Sequence, residues 1–335
     1  MNNDTENLTI QALKQLNNGS TFTTIVVVRK IIRKMSKTGN LFFQIETGDA
    51  VDSFSFNCFE GSDTFLFFKK PALKCPQIIK ISGVIDFYAE KLSPRIKSIE
   101  EVTGESYESW LEQLVEKPDE TLSHLKSELE SLIIKIKNPE LQATVRQVFK
   151  DLGTGFYDSV AAVSMHHAYV HGLLEHTVHV AKVTDHMLVL YPEINTDLAL
   201  AGALLHDVGK VLEYQYTTQE GITRTTIGML QGHVVLGYRL VRSAALRQKL
   251  NPTWLERLEH IILSHQGEPE WGAAVYPATP EAVLVGLADN LDAKMAMVHQ
   301  QLRKALPDQV FSEFIPGLNT RLLTQAVPDP SENLL

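Results

Sequence analysis

Ala199 to Leu205 reads ALAGALL, and it runs directly into His206-Asp207-Val208-Gly209-Lys210. A helix that is apolar on every side belongs in a core. This one therefore carries an imidazole and a carboxylate to a place where water is scarce. Burying both is costly unless something replaces their lost hydration. A divalent cation does so, because it accepts the lone pair of a neutral imidazole together with a carboxylate oxygen. Adjacent helical residues point about 100° apart, so His206 and Asp207 are expected to grip one metal from a helix end, or Asp207 to bridge two. Gly209 is expected to let the chain turn sharply. Lys210 then sits where its ammonium reaches a bound phosphate. Asp207 and Lys210 are the candidate catalytic residues.

The pattern recurs. His176 interrupts the apolar helical stretch GLLEHTV, and Asp289 follows VLVGLA (283–288), again an acid closing an apolar helix. Ten of the twelve histidines fall between His166 and His265. A single helical histidine is ordinarily a satisfied core or surface residue. Three buried helices that each carry a ligand-type residue at their polar interruption form a ligand set drawn from separate parts of the chain.

The rest of the sequence predicts an α+β, multidomain chain. With 335 residues, 44% hydrophobic and 21% charged, it has the composition of globular domains. Residues 21–102 read as strands. Thr21 to Val28 is rich in β-branched residues, LFFQI (41–45) follows, and Ser53 to Phe56 alternates with period two, as residues 80–85 do in part. Turn signals at 37–40, 47–49 and 60–63 separate them. About five short strands suit a small OB-like β-barrel, with residues 1–20 as an N-terminal extension. From Glu105 the period becomes helical. Residues 103–140 are expected as a helical connector broken at Asn138-Pro139, residues 141–302 as an all-α domain, and 303–335 as a proline-containing tail. Two cysteines, Cys58 and Cys75, are too few for a disulfide framework. No basic start leads into an apolar stretch at the N-terminus, which predicts a soluble, cytoplasmic protein.

The order His176, His206-Asp207, Asp289 resembles the signature of the HD superfamily of metal-dependent phosphohydrolases. The resemblance narrows over residues 139–298. HHAY (166–169), GLLEHT (172–177), AGALLHDVGK (201–210), LQGH (230–233), LSH (263–265) and ADNLDAK (288–294) follow in the order seen in YhaM-type 3′-to-5′ exoribonucleases. These join an N-terminal OB-fold to a C-terminal HD domain. The resemblance implies that His233, which begins an apolar helix, and His265, which ends one, supply a second ion. The metal set is then His176, His206, Asp207, His233, His265 and Asp289. His260 is turned to a different face, His171 and His179 are structural, and His186 and His299 are solvated surface. Where such proteins often carry a further histidine after the equivalent of His265, this chain has Gln266.

The implied activity is hydrolysis of single-stranded RNA from its 3′ end, extending to single-stranded DNA, with release of nucleoside monophosphates. The implied cofactor is one or two divalent ions, manganese first, with Fe, Co, Ni or Zn also suited to imidazole and carboxylate ligands. Metal activation of water toward hydroxide supplies the attack on the phosphodiester. A sequence-tolerant grip on single strands needs a basic groove with stacking aromatics. Between Phe22 and Lys97 there are twelve Lys and Arg against seven Asp and Glu, in a chain whose net charge is −9. Arg29, Lys30, Arg33, Lys34, Phe43 and Lys69 are the candidate contacts in the barrel, with His166 and His167 in the helical part. Exposed helical faces leave room for a homo-oligomer. Two other readings share the metal ligands: an HD phosphohydrolase acting on a small nucleotide or cyclic dinucleotide, and a non-catalytic nucleic-acid-binding protein on an HD scaffold.

Overall fold

The computed structural model describes residues 7–70, 76–89, 91–162, 169–217 and 221–327. His166 and His167, expected near substrate, lie outside the described residues, as do Cys75, Pro328 and Pro330. The chain divides into two units. One comprises residues 1–116, 216–223 and 303–309, and the other residues 117–215, 224–302 and 310–335. No helix among the described residues is long and apolar enough to cross a membrane.

In the first unit a short helix, α1 (Ile10–Gln15), precedes β1 (Thr21–Met35), β2 (Leu41–Gly48) and β3 (Ser53–Phe59). Helix α2 (Asp63–Phe68) separates β3 from β4 (Gln77–Val84). A ribbon of β5 (Phe87–Tyr88) and β6 (Lys91–Leu92) leads to β7 (Arg95–Glu101). The sheet order is β3-β2-β1-β4-β7, antiparallel throughout. This is the OB-like architecture expected. It also contains a helix, α2, which Ser62 caps by accepting from the Phe65 amide.

Strand β1 is longer than Thr21 to Val28, and the basic run lies inside it, not beyond it. Residues 21–28 pair with β4 and residues 27–35 with β2. The register slips between Val28 and Lys30, and one extra residue in a strand reverses which side chains face inward. Before the bulge Phe22, Val26 and Val28 enter the main core of the unit; after it Ile31 does. Ile25 and Val27 face the other way, where Tyr107, Trp110, Leu111 and Leu114 of α3 (Glu105–Leu114) cover them.

The second unit is helical: α4 (Leu122–Ile134), α5 (Pro139–Leu152), α6 (Thr154–Asp158), α7 (Gly172–Leu188), α8 (Thr196–Leu205) and α9 (Lys210–Glu213). After the ribbon β8 (Tyr214–Thr217) and β9 (Gly221–Arg224) come α10 (Thr226–Arg247), α11 (Pro252–Ser264) and α12 (Pro280–Lys304). Asn138, Asn195 and Asn251 each accept a backbone amide at a helix start, and Pro139 and Pro252 follow two of them, as that punctuation predicts. Residues 103–140, expected as one connector, divide between the two units: α3 packs on β1 and β4, while Leu125, Leu129, Leu132 and Ile133 of α4 enter the helical core.

Helix α8 lies at the centre of that core. Every residue from Leu198 to Leu205 is buried, and it packs against α4, α5, α7 and α11. Its C-terminal end is therefore fixed from several sides. Leu204 has no exposed surface, and truncating such a side chain removes its transfer energy and leaves a cavity. Leu204→Ala is expected to lower stability by about 2–5 kcal/mol, measured by denaturant titration followed by circular dichroism.

Candidate metal centre

Five helices bring ligand-type residues to one point. His206 is the C-cap of α8, and Asp207 follows it. His176 comes from near the start of α7, and His265 is the C-cap of α11. Asp289 stands within α12, which continues to Lys304, so the acid does not close its helix as its sequence context suggested. His233 is aimed by a break in α10, where Gly232 adopts φ 67°, ψ 161° and the helix restarts. Such a conformation favours glycine. Gly209 serves differently from its expected role. Its backbone is right-handed helical (φ −66°, ψ −20°), so no special turn is involved. A Cβ there would collide with the His233 carbonyl and the Gly237 amide, so glycine lets α10 approach.

Asp207 is the hub. Its Oδ2 lies 3.2 Å from His176 Nε2 and 3.4 Å from His206 Nε2, and Asp289 Oδ1 is 3.3 Å from the same His176 nitrogen. Its Oδ1 lies 3.5 Å from both His233 Nε2 and His265 Nε2. Two clusters result, His176-His206-Asp207 and Asp207-His233-His265, with the carboxylate shared. His176, His206, Asp207 and His265 are at most 1% exposed.

The imidazole tautomers decide what these distances mean. Each ring donates its Nδ1 proton to a fixed acceptor: His176 to Asp292 Oδ2 (2.7 Å), His206 to the Ala203 carbonyl (2.8 Å), His233 to Glu213 Oε2 (2.7 Å) and His265 to the Ile262 carbonyl (2.8 Å). In the neutral ring the other nitrogen then carries a lone pair. Four Nε2 lone pairs converge, those of His176 and His206 only 3.1 Å apart. Asp207 Oδ1 is buried with no hydrogen-bond partner among the described residues. Imidazole acceptors gathered around a carboxylate suit a cation. The donor set of imidazole nitrogen and carboxylate oxygen fits a borderline divalent ion.

Electrostatics agree. Burial alone would raise the Asp207 carboxyl, but Lys210 and His206 hold it well below the usual carboxylate range. Burial likewise opposes ionisation of Asp289, and the His176 and His206 rings more than offset it. Burial would lower the His176 imidazole, yet Asp207, Asp289 and Asp292 hold it well above its ordinary value. Excess negative charge is gathered here, which favours a positive charge at this point. Lys210, itself buried, places Nζ 2.5 Å from Asp207 Oδ2.

Two residues of this arrangement, Asp292 and Glu213, were not singled out from the sequence. Asp292 also holds His179 (Nδ1 to Oδ1, 3.2 Å), and Glu213 also faces Arg224 at 3.3 Å. Only the spacing of Asp289 and Asp292, three apart and so neighbours on a helix face, signalled one of them. His260, as expected, faces elsewhere, and its Nε2 accepts from the Ala278 amide. His171 caps α7 in a left-handed conformation (φ 71°), its Nδ1 on the Tyr157 carbonyl.

Losing an acceptor behind a metal-binding imidazole frees the ring to rotate and typically costs 10–100-fold in affinity. Asp292→Ala is expected to weaken Mn2+ uptake by about that factor while far-UV circular dichroism is unchanged, as measured by isothermal titration calorimetry.

The HD domain family matches residues 173–294, a span that contains all five residues of the two clusters together with Asp289. Among curated proteins the chain is 31% identical over 244 residues to the 3′-5′ exoribonuclease YhaM of Bacillus licheniformis, covering 73% of this chain and 76% of that one. It is 32% identical over 244 residues to the 3′-5′ exoribonuclease YhaM of a Geobacillus species, covering 73% and 74%. With that identity across most of both lengths, and a cation-seeking carboxylate between paired histidines, the chain belongs to the YhaM family of HD-domain exoribonucleases.

Proposed function

We propose that this protein is a metal-dependent 3′-to-5′ exoribonuclease, releasing nucleoside monophosphates from single-stranded RNA, with Mn2+ preferred and single-stranded DNA a second substrate. The observation that carries the proposal is Asp207, which offers one oxygen to each of two histidine pairs. His176, His206 and Asp289 on one side of Asp207, and His233 and His265 on the other, would hold divalent ions, which would supply an activated water and offset charge on the scissile phosphate. The protein's own residues hold the geometry. Lys210 keeps a buried positive charge beside Asp207 Oδ2, positioned to face a phosphate oxygen. Asp292 and Glu213 are committed to imidazoles and orient them.

The first unit supports a grip on unpaired bases. On the outward face of the sheet, cross-strand pairing sets Lys34 beside Phe42 and Phe42 beside Phe59; the next row is Ile32, Gln44 and Asn57, and the next Lys30, Glu46 and Ser55. The Phe42 and Phe59 rings stack with centroids 5.5 Å apart, and Phe59 is 56% exposed. Phe43, the expected contact, turns the other way, because pleating alternates neighbours; it packs into the core and stacks on Phe65 at 4.9 Å. Arg33 shares the side of Phe43 and is exposed at the strand end. Arg29 sits at the bulge and donates to the Asp49 carbonyl, a structural use. Lys69 caps α2, away from this stack in sequence register. The platform proposed is therefore Lys30, Lys34, Phe42 and Phe59. An assembly of several copies acting in the cytoplasm completes the reading.

Two experiments test it. With 5′-labelled single-stranded RNA and Mn2+, the protein is expected to yield a ladder shortening from the 3′ end. Asp207→Ala abolishes the ladder and leaves RNA binding intact; an intact RNA beside hydrolysed small nucleotides would refute the proposal. Stacking contributes about 1–3 kcal/mol per base. Phe42→Ala and Phe59→Ala are accordingly expected to weaken oligonucleotide binding by roughly 5- to 150-fold in fluorescence anisotropy, whereas Phe43→Ala lowers thermal stability with little change in affinity.

A further inference from the structure

Gln266 follows His265 at the end of α11, and its side-chain amide lies against both histidines of the second cluster. Nε2 of the amide is 3.1 Å from His265 Nε2 and 3.4 Å from His233 Nε2. Those two nitrogens carry lone pairs, because the Nδ1 protons are committed to Ile262 and Glu213. An amide NH2 carries two protons and is the neutral group best suited to face two acceptors at once. Gln266 thus faces the two imidazole lone pairs that a cation held by His233, His265 and Asp207 Oδ1 would take.

The same side chain has a second face. The terminal torsion of glutamine is broad and roughly two-fold, so half a turn exchanges NH2 for Oε1 without moving the rest of the chain. Facing acceptors, the amide presents hydrogens; facing a cation, it presents its carbonyl oxygen.

We propose that Gln266 is a metal-ligating residue of the Asp207-His233-His265 position, its amide blocking that position when empty and turning Oε1 onto the ion when filled. The inference rests on the two-ion reading above and deepens it. The chemistry of the ligand predicts a preference. Amide carbonyl oxygen suits Mn2+ and Mg2+, whereas a further imidazole suits Zn2+, Fe2+ or Ni2+. With Gln266 the second position has two imidazoles, one carboxylate oxygen and one carbonyl oxygen, an oxygen donor where a third imidazole would otherwise stand.

The test is metal binding to the full-length protein, read by calorimetry and by the Mn2+ electron paramagnetic resonance signal, with activity set aside. The wild type is expected to take up two Mn2+, and His233→Ala only one. Gln266→Ala is expected to weaken the second Mn2+ about tenfold or more with the first unchanged, and Gln266→His to shift that position at least about tenfold toward Zn2+ over Mn2+. A wild type that binds a single ion, or a His233→Ala variant that still binds two, overturns the two-ion reading and the inference with it. Loss of the second ion in His233→Ala, with wild-type affinity in Gln266→Ala, overturns the role of Gln266 alone. Unchanged circular dichroism in each variant excludes misfolding as the cause.

Discussion

The structure of the helical unit turns on one electrostatic conflict: imidazole lone pairs aimed at a buried carboxylate. Nothing in ordinary core packing produces that arrangement, because facing acceptors repel and a desolvated carboxylate is costly. It persists because the elements carrying the groups are over-determined elsewhere. Helix α8 is held on all sides by apolar packing, so the end that bears His206 and Asp207 cannot retreat. Lys210 relieves part of the charge. What remains is a demand for positive charge fixed in position, which suits the site to a divalent ion.

The first unit turns on a single inserted residue. Had β1 run without its bulge, the period-two rule would have carried the inward set Phe22, Val26 and Val28 on to Lys30 and Lys34. The slip at Arg29 reverses the parity. It seats Ile31 in the core and places Lys30 and Lys34 on the outward face with Phe42 and Phe59. Gly48 makes room for it, since a Cβ there would meet the Arg29 guanidinium. A basic, aromatic face and a closed apolar core thus come from the same strand.

Much of this was legible in the sequence, for reasons that are physical. Apolar helices that end in His206-Asp207 or in His265 announce themselves because burial is readable from composition and a ligand in such a place is an anomaly. Asn138, Pro139 and Asn195 mark helix starts because capping is local. What stayed hidden depends on three dimensions. Asp292 and Glu213 look like any surface acids until the imidazoles they hold are seen. Phe42 and Phe43 are indistinguishable as a pair until a bulge in the neighbouring strand sets the parity. Gly209 reads as a turn, whereas its reason lies in a helix 24 or more residues away that approaches its Cα.

The acceptors behind the four histidines follow a rule that helix geometry explains. His206 and His265 cap the C-terminal ends of α8 and α11, and each donates to the carbonyl three residues earlier in its own helix. Carbonyls in the last turn lack intrahelical amides, so these rings obtain an acceptor from the backbone and satisfy an orphan carbonyl at the same time. His176 and His233 lie near the start of a helical segment, away from the orphan carbonyls of a last turn. Each therefore recruits a carboxylate from another part of the chain, Asp292 from α12 and Glu213 from α9. Each histidine pair thus contains one backbone-supported and one acid-supported ring. An anionic acceptor raises the basicity of the imidazole it holds. The acid-supported rings are consequently the stronger donors to a cation, and negative charge is spread beyond Asp207 and Asp289 without adding a carboxylate to the candidate ligand set itself.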